Sequence, residues 1–251
     1  SIVHARSRAP AFSALWAAHV TGTPFVATYH GVYKARSSLK RWYNAVMTRG
    51  DLVIANSDYT RDHVLAEHGV APEKLVTIPR GVDLERFDPA FVPLVRVDAL
   101  REAWAAPADG RTRILLAGRL TRIKGHLTIV EAARQLAAQG RSDFQILFAG
   151  DDQGRTGYAA EVQAAIDAAG LADVVRIVGH CDDMPAAYLL ADFAILPTLV
   201  PESFGRAAVE PQAMGRVVIA PNHGGVTETI LDGGTGWPAP GGDSDAGAAG
   251  R

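Results

Sequence analysis

One cysteine, Cys181, stands in 251 residues. A lone thiol forms no internal disulfide and no cysteine-rich zinc module, and a reducing compartment fits such usage. No apolar run is long enough to cross a bilayer, since the longest, Leu189 to Val200, is broken by Asp192 and Pro197. No Gly-Lys-Ser/Thr closes a phosphate loop, and no Gly-x-Gly-x-x-Gly follows a strand, which weakens a dinucleotide-dehydrogenase reading. No repeat at 20–50 residue spacing appears. The chain opens at Ser1 without Met or a signal-peptide pattern and closes in a Gly/Ala/Asp-rich tail, Gly241 to Arg251. Both ends read as cut, and a fragment of a longer protein is the expectation.

Acidic residues are missing from the first fifty positions, which hold seven cations: Arg6, Arg8, Lys34, Arg36, Lys40, Arg41 and Arg49. The whole chain is nevertheless at −2, so the remainder is acidic and the asymmetry calls for an anionic partner on one face. Within Ser37 to Thr48, Leu39, Trp42, Tyr43 and Val46 follow helical spacing beside Lys40 and Arg41. Two readings stay open: an amphipathic helix for an anionic membrane or lipid acceptor, or core aromatics with a solvated basic face. Nucleic acid is not expected, because no RNP-like, helix-turn-helix or zinc pattern accompanies the charge.

What is present is ordinary globular composition, 48% hydrophobic and 21% charged. Short Val/Ile/Leu/Phe runs predict strands at Phe25–Tyr29, Asp51–Ala55, Leu75–Ile78, Arg113–Ala117, Phe144–Ala149, Val174–Val178, Phe193–Leu196 and Val217–Ala220. They lack period-two alternation, as strands covered on both faces do. Helical patterns fall between them, at roughly 9–20, 37–49, 57–68, 126–139, 157–169, 184–191, 204–214 and 225–231. The alternation predicts α/β layers with parallel sheets. A break between Val82 and Arg111, with Pro89, Pro93, Pro107 and a short helix near Asp98–Trp104, reads as an interdomain connection. The expected division is 1–88, 89–111 and 112–251, with about three strands on the first side and five on the second.

Two segments carry candidate chemistry. In the first, Gly118-Arg119-Leu120-Thr121-Arg122-Ile123-Lys124-Gly125 joins a strand to a helix. A glycine at a strand end lets a ligand approach the backbone, Arg119 offers a fork for phosphate oxygens, Lys124 adds a point charge, and the helix start favours negative charge. The second is Pro201-Glu202-Ser203-Phe204-Gly205-Arg206-Ala207-Ala208-Val209-Glu210. Glu202 lies before the predicted helix and Glu210 within it; eight positions at about 1.5 Å each put their backbones roughly 10 Å apart, too far for a retaining glycosidase pair at about 5–5.5 Å. They suit two hydroxyl-bearing parts of one extended ligand, with Phe204 and Gly205 N–H groups as helix-start donors. Taken singly, either Glu also fits a plain helix-surface role.

Together these segments resemble the retaining family-4 glycosyltransferases of GT-B fold. Ala55-Asn56-Ser57, Ile78-Pro79-Arg80-Gly81-Val82-Asp83, Phe148-Ala149-Gly150 and His223-Gly224-Gly225-Val226-Thr227-Glu228 stand in family order, so the match runs from about Pro24 to Trp237. The resemblance implies an α/β chain of two Rossmann-like, doubly wound parallel-sheet domains facing a cleft, the N-terminal one incomplete. It implies a nucleotide-diphosphate-sugar as co-substrate, with no metal or other cofactor required. Gly118, Arg119 and Lys124 would hold the donor diphosphate. Glu202 would bind the sugar hydroxyls with help from Ser203, Phe204 and Gly205, Glu210 the ribose, and His180 would lie near the base. His30, in Thr28-Tyr29-His30-Gly31, matches a family histidine at the active site; a strand-end histidine bonded to backbone is its other reading.

The wording is most similar to bacterial enzymes of lipopolysaccharide-core and surface-glycan synthesis. That implies a glycan or lipid-linked acceptor, and the basic N-terminal half adds the expectation of a lipid-linked, phosphorylated acceptor on the cytoplasmic membrane face, for a cytoplasmic protein peripheral on the inner face. Arg80 departs from the family's frequent Asn, and Pro211 directly after Glu210 removes a helix donor. Competing readings are a GT-B epimerase or phosphorylase, and a donor-binding module without turnover.

Overall fold

A computed structural model describes residues 1–154 and 156–239; the Gly241–Arg251 tail lies outside the described residues. The described residues form two compact units, one of Ser1–Gly81 with Glu202–Gly205, the other of Val82–Pro201 with the described residues that follow Gly205.

The first unit is built on β1 (Val3–Ala5), β2 (Phe25–Tyr29), β3 (Leu52–Ala55) and β4 (Leu75–Thr77), all parallel, in the order β1-β2-β3-β4. The connections carry α1 (Arg8–Thr21), α2 (Ser38–Asn44, continued as a 3-10 turn to Thr48) and α3 (Asp58–His68). Phe25, Ala27, Tyr29, Val46, Met47, Val53 and Val64 form its core. β1 was not anticipated, since three residues that include His4 give too little pattern.

The second unit holds six parallel strands in the order β10-β9-β8-β5-β6-β7. They are β5 (Thr112–Ala117), β6 (Phe144–Ala149), β7 (Val175–Gly179), β8 (Phe193–Ile195), β9 (Val217–Pro221) and β10 (Gly236–Ala239). The connecting helices are α5 (His126–Ala138), α6 (Thr156–Ala168), α7 (Met184–Leu190) and α8 (Arg206–Ala213), preceded by α4 (Leu94–Ala103). Neighbouring residues of one strand feed opposite cores. Leu115, Leu147 and Ala149 join one cluster; Leu116, Ile146 and Phe148 join the other. Burial on both faces is why these strands read as unbroken apolar runs.

The predicted connection between Val82 and Arg111 packs into this unit: Phe87, Val92, Val97 and Trp104 are buried in its first cluster. β10 escaped prediction because its sequence, Gly-Trp-Pro-Ala, has the proline that only an edge strand accepts.

Winding matters for the site. From β5 the chain proceeds to β6 and β7 on one side, then returns to place β8, β9 and β10 on the other. The reversal lies between β5 and β8, and open α/β sheets bind ligands outside the strand carboxyl ends at such a switch point.

Candidate functional site

The loop after β5 is fixed by two backbone approaches that only glycine permits. A Cβ on Gly150, just past β6, would lie 1.9 Å from the Gly118 carbonyl oxygen and 3.1 Å from the Arg119 nitrogen. A Cβ on Gly125 would lie 2.0 Å from the Pro197 carbonyl oxygen. The first approach seats the Gly118–Arg119 peptide over β6, where Gly118 N–H donates to Ala149 O at 2.9 Å and Leu120 N–H to Asp151 O at 2.9 Å. The second ties the turn Arg122–Lys124 to the loop after β8. There Leu199 N–H donates to Ile123 O at 2.8 Å and Thr198 Oγ1 donates to the same oxygen at 3.1 Å. The loops on either side of the switch point are thus one hydrogen-bonded assembly.

The cations of this loop have different fates. Arg122 is engaged by Glu161 through both carboxylate oxygens and lies 5.3 Å from the Tyr158 ring centroid. Arg119 is exposed and donates only to Gln153 Oε1, at 3.1 Å, among the described contacts. Gly118 gives room to the Lys124 stem, whose Cδ is 3.6 Å from where a Gly118 Cβ would be. Gly118 and Lys124, nominated together from sequence, are therefore in contact range at the end of β5. His180 follows β7, two strands from β5, hence roughly 10 Å away across the sheet; its Nε2 shares a 2.9 Å hydrogen bond with Asp182.

Glu202 lies before α8 and Glu210 within it, but the helix begins later than the expected start near 204. α8 starts at Arg206, and Gly205, at φ +87°, stands outside it. Phe204 and Gly205 are therefore not its first-turn donors; those N–H groups belong to Arg206, Ala207 and Ala208. Glu210 is buried and accepts from Arg206 Nε at 3.0 Å and from the Tyr188 hydroxyl at 3.3 Å. Burial, then the Glu210 carboxylate, push the Tyr188 hydroxyl well above the usual phenol range. The Arg206 partner was readable as an i,i+4 pair; Tyr188, 22 positions away, was not.

In the first unit, the segment Glu202–Gly205 docks on the carboxyl ends of β2 and β3. Ser203 Oγ donates to His30 O at 2.8 Å. Ser57, the α3 N-cap, accepts from Thr60 N–H at 3.0 Å and donates through its hydroxyl to Ser203 O. Ser203 and His30, proposed from opposite ends of the chain, are brought together here. Asn56 is buried, with Nδ2 3.5 Å from His30 O and Oδ1 without a hydrogen-bond partner.

The His30 ring is flanked by Arg80 Nη2, 2.8 Å from Nδ1, and Arg6 Nε, 3.3 Å from Nε2. Partial burial, then Arg80, Arg6 and His4, push its pKa down to about 4. Neither arginine was nominated as a His30 neighbour from sequence. They lie 24 and 50 positions away and meet it only because β1, β2 and β4 end on one side of a parallel sheet.

The aromatic helix divides between its two readings. Val46 is buried, and Tyr43 is half-buried with its ring centroid 5.4 Å from Phe12. Leu39 is 74% and Trp42 52% exposed, and Trp16 of α1 is 71% exposed. Among the described residues no helix is long and apolar enough to cross a membrane.

Two parallel α/β sheets, the second reversing direction at a loop that gathers arginine, lysine and glycine, define the GT-B class of sugar-transferring folds. The chain belongs to the glycosyl transferases group 1 family, whose model matches residues 99–250, while the Glycosyltransferase Family 4 model matches residues 1–86. A D-inositol 3-phosphate glycosyltransferase of Arthrobacter sp. (strain FB24) is 29% identical over 250 residues, covering 94% of this chain and 57% of that protein. The chain thus spans about half the length of the curated relatives it matches. The crystal structure of a glycosyltransferase from Rickettsia africae ESF-5 superposes with TM-score 0.87 at 36% identity, covering 99% of this chain and 64% of that one. Anabaena Alr3699/HepE in complex with UDP-glucose superposes with TM-score 0.84 at 23% identity, covering 98% and 66%.

Proposed function

We propose that this chain is the donor-binding core and part of the acceptor side of a retaining glycosyltransferase that takes a nucleoside-diphosphate sugar. The observation that carries this reading is the assembly at the switch point between β5 and β8. Gly125 and Gly150 let two loops close against each other there, holding Arg119 exposed and drawing the Lys124 stem back over Gly118. A diphosphate is the ligand that such a loop suits, and the UDP-glucose bound by the Anabaena neighbour of the same fold agrees with it.

In the reaction the anomeric carbon develops oxocarbenium character as its bond to the diphosphate oxygen lengthens. The electron pair departs with the diphosphate, where Arg119 and Lys124 offset the growing negative charge without a metal ion. Glu202, by the family resemblance, holds the sugar hydroxyls, and Ser203, Phe204 and Gly205 assist. Glu210 receives the ribose, its carboxylate preset by Arg206 and Tyr188, and His180 lies near the base. The acceptor hydroxyl attacks from the face the diphosphate leaves, its oxygen bonding the anomeric carbon as its proton passes to the departing diphosphate oxygen, which retains configuration, and His30 lines the site of attack.

The acceptor is a glycan or lipid-linked glycan of surface polysaccharide assembly, of the lipopolysaccharide-core kind. The acid-free, basic first fifty residues and the exposed Leu39, Trp42 and Trp16 support an anionic membrane surface as the place of reaction. The protein is accordingly proposed to be cytoplasmic, peripheral on the inner membrane face.

Glu202→Ala in the full-length enzyme tests the assignment. Sugar transfer from a nucleoside-diphosphate sugar should fall to background while thermal unfolding stays unchanged. Turnover at the parent rate would refute it.

A further inference from the structure

At the carboxyl ends of β1, β2 and β4, two guanidinium groups address one imidazole. Arg80 Nη2 is 2.8 Å from His30 Nδ1, and Arg6 Nε is 3.3 Å from His30 Nε2. A neutral imidazole has one acceptor nitrogen and one N–H. The shorter contact makes Nδ1 the acceptor from Arg80, so the ring proton sits on Nε2 and faces the Arg6 N–H. Two donors then converge with no lone pair between them. Protonating the ring does not relieve this, since both nitrogens would become donors; partial burial first, and then the charges of Arg80, Arg6 and His4, favour the neutral ring. What satisfies two convergent donors is an oxygen that accepts from both, and an anionic oxygen does so best beside two arginines. The place is reachable, because Arg6 is exposed and His30 and Arg80 are half-buried.

We infer that Arg6, His30 Nε2 and Arg80 form a recognition site for an oxyanion, a phosphate ester or carboxylate, carried by the sugar acceptor. Arg80 fixes the imidazole tautomer, and Arg6 and the Nε2 proton then grip the anion. Specificity follows from a neutral acceptor leaving these donors unmatched. The word acceptor rests on the transferase reading above, whereas the oxyanion site itself does not.

The test uses the chain with ¹⁵N-labelled histidine rings, His30 being assigned by loss of its signals in His30→Gln. Inorganic phosphate and acetate are titrated separately, and UDP in a parallel experiment. Expected is a saturable shift of the His30 ring nitrogens, with half-saturation at least tenfold higher in Arg6→Gln and in Arg80→Gln but unchanged in Arg134→Gln on α5. A tighter response to phosphate identifies a phosphate ester, and a tighter response to acetate a carboxylate. No saturable shift with either anion, or half-saturation unmoved by both arginine variants, overturns the site. The UDP titration keeps the two claims apart. UDP binding with a silent His30 removes the oxyanion site alone, and a responsive His30 without UDP binding removes the donor reading alone.

Discussion

Gly150→Ala strains the loop proposed to hold the diphosphate. The added methyl would sit 1.9 Å from the Gly118 carbonyl oxygen and 2.6 Å from its carbon. Both partners are backbone, so no side chain can swing aside. Ordinary contact requires the Gly118–Arg119 peptide to retreat by roughly an ångström or more. That peptide is held by the Gly118 N–H bond to Ala149 and the Leu120 N–H bond to Asp151, and a retreat strains both. Overpacking of this kind costs about 1–3 kcal/mol. Arg119 moves with its peptide, and a misplacement of about 1 Å in a positioning group lowers activity on the order of 100-fold.

Urea unfolding followed by far-UV circular dichroism reads the first effect, and calorimetric titration with a UDP-sugar reads the second. Gly157→Ala is the matched control. That glycine lies in the first turn of α6 with nothing within 4 Å of the added carbon, so alanine there should stabilise by a few tenths to about 1 kcal/mol. If Gly150→Ala unfolds within about 0.5 kcal/mol of the parent and binds the sugar nucleotide equally well, the close approach does not position the loop.

Three further outcomes are expected. Ser57→Ala removes both the α3 cap and a donor to the Ser203 carbonyl, leaving Thr60 Oγ1 at 3.3 Å among the described contacts; denaturant titration should show a loss of about 1–2 kcal/mol. His126 is fully buried, burial pushes its pKa down to about 4 with the Thr121 backbone only partly offsetting this, and neither ring nitrogen makes a hydrogen bond of good geometry. The unfolded chain takes up that proton near the ordinary 6.5, so its share of stability is complete above pH 6.5 and lost as pH falls toward 4, by about 3 kcal/mol. Unfolding across that window should flatten by this amount in His126→Leu, and an unaltered slope would contradict the origin. Leu39→Ser with Trp42→Ser should weaken cosedimentation with phosphatidylglycerol-containing vesicles at least tenfold, whereas equal binding would leave the exposed aromatics without a membrane role.

How far the sequence carries depends on whether a feature is local. Phe25–Tyr29 and Phe144–Ala149 were bounded correctly because a strand buried on both faces writes its whole length as apolar residues. The Gly118–Lys124 loop was legible for a related reason, since a strand, glycines, cations and a helix follow one another along the chain. Helix α8 was misplaced at its start because Phe204 continues the apolar pattern, while Gly205 takes a left-handed conformation that periodicity does not register. Leu39 and Trp42 kept helical spacing yet face outward, since spacing identifies a stripe and not what covers it.

The His30 surroundings lie beyond any of these signals. Arg6, His30 and Arg80 occupy three separate strand ends, and nothing in their spacing joins them. A parallel sheet of order β1-β2-β3-β4 sends every carboxyl end to the same edge, so residues just after the strands become neighbours whatever their separation in sequence. Arg80 in place of the family's frequent Asn stands in the sequence as a departure without a purpose. Strand order supplies one, because at the end of β4 an asparagine would bring a short neutral amide where this chain brings a guanidinium to the His30 ring. If that substitution is what commits the site to an anionic acceptor, Arg80→Asn should retain donor binding and lose preference between acceptors that differ only in a phosphate or carboxylate. Equal discrimination by Arg80→Asn and the parent, measured as the kcat/KM ratio for such a pair in the full-length enzyme, would return Arg80 to a purely structural role.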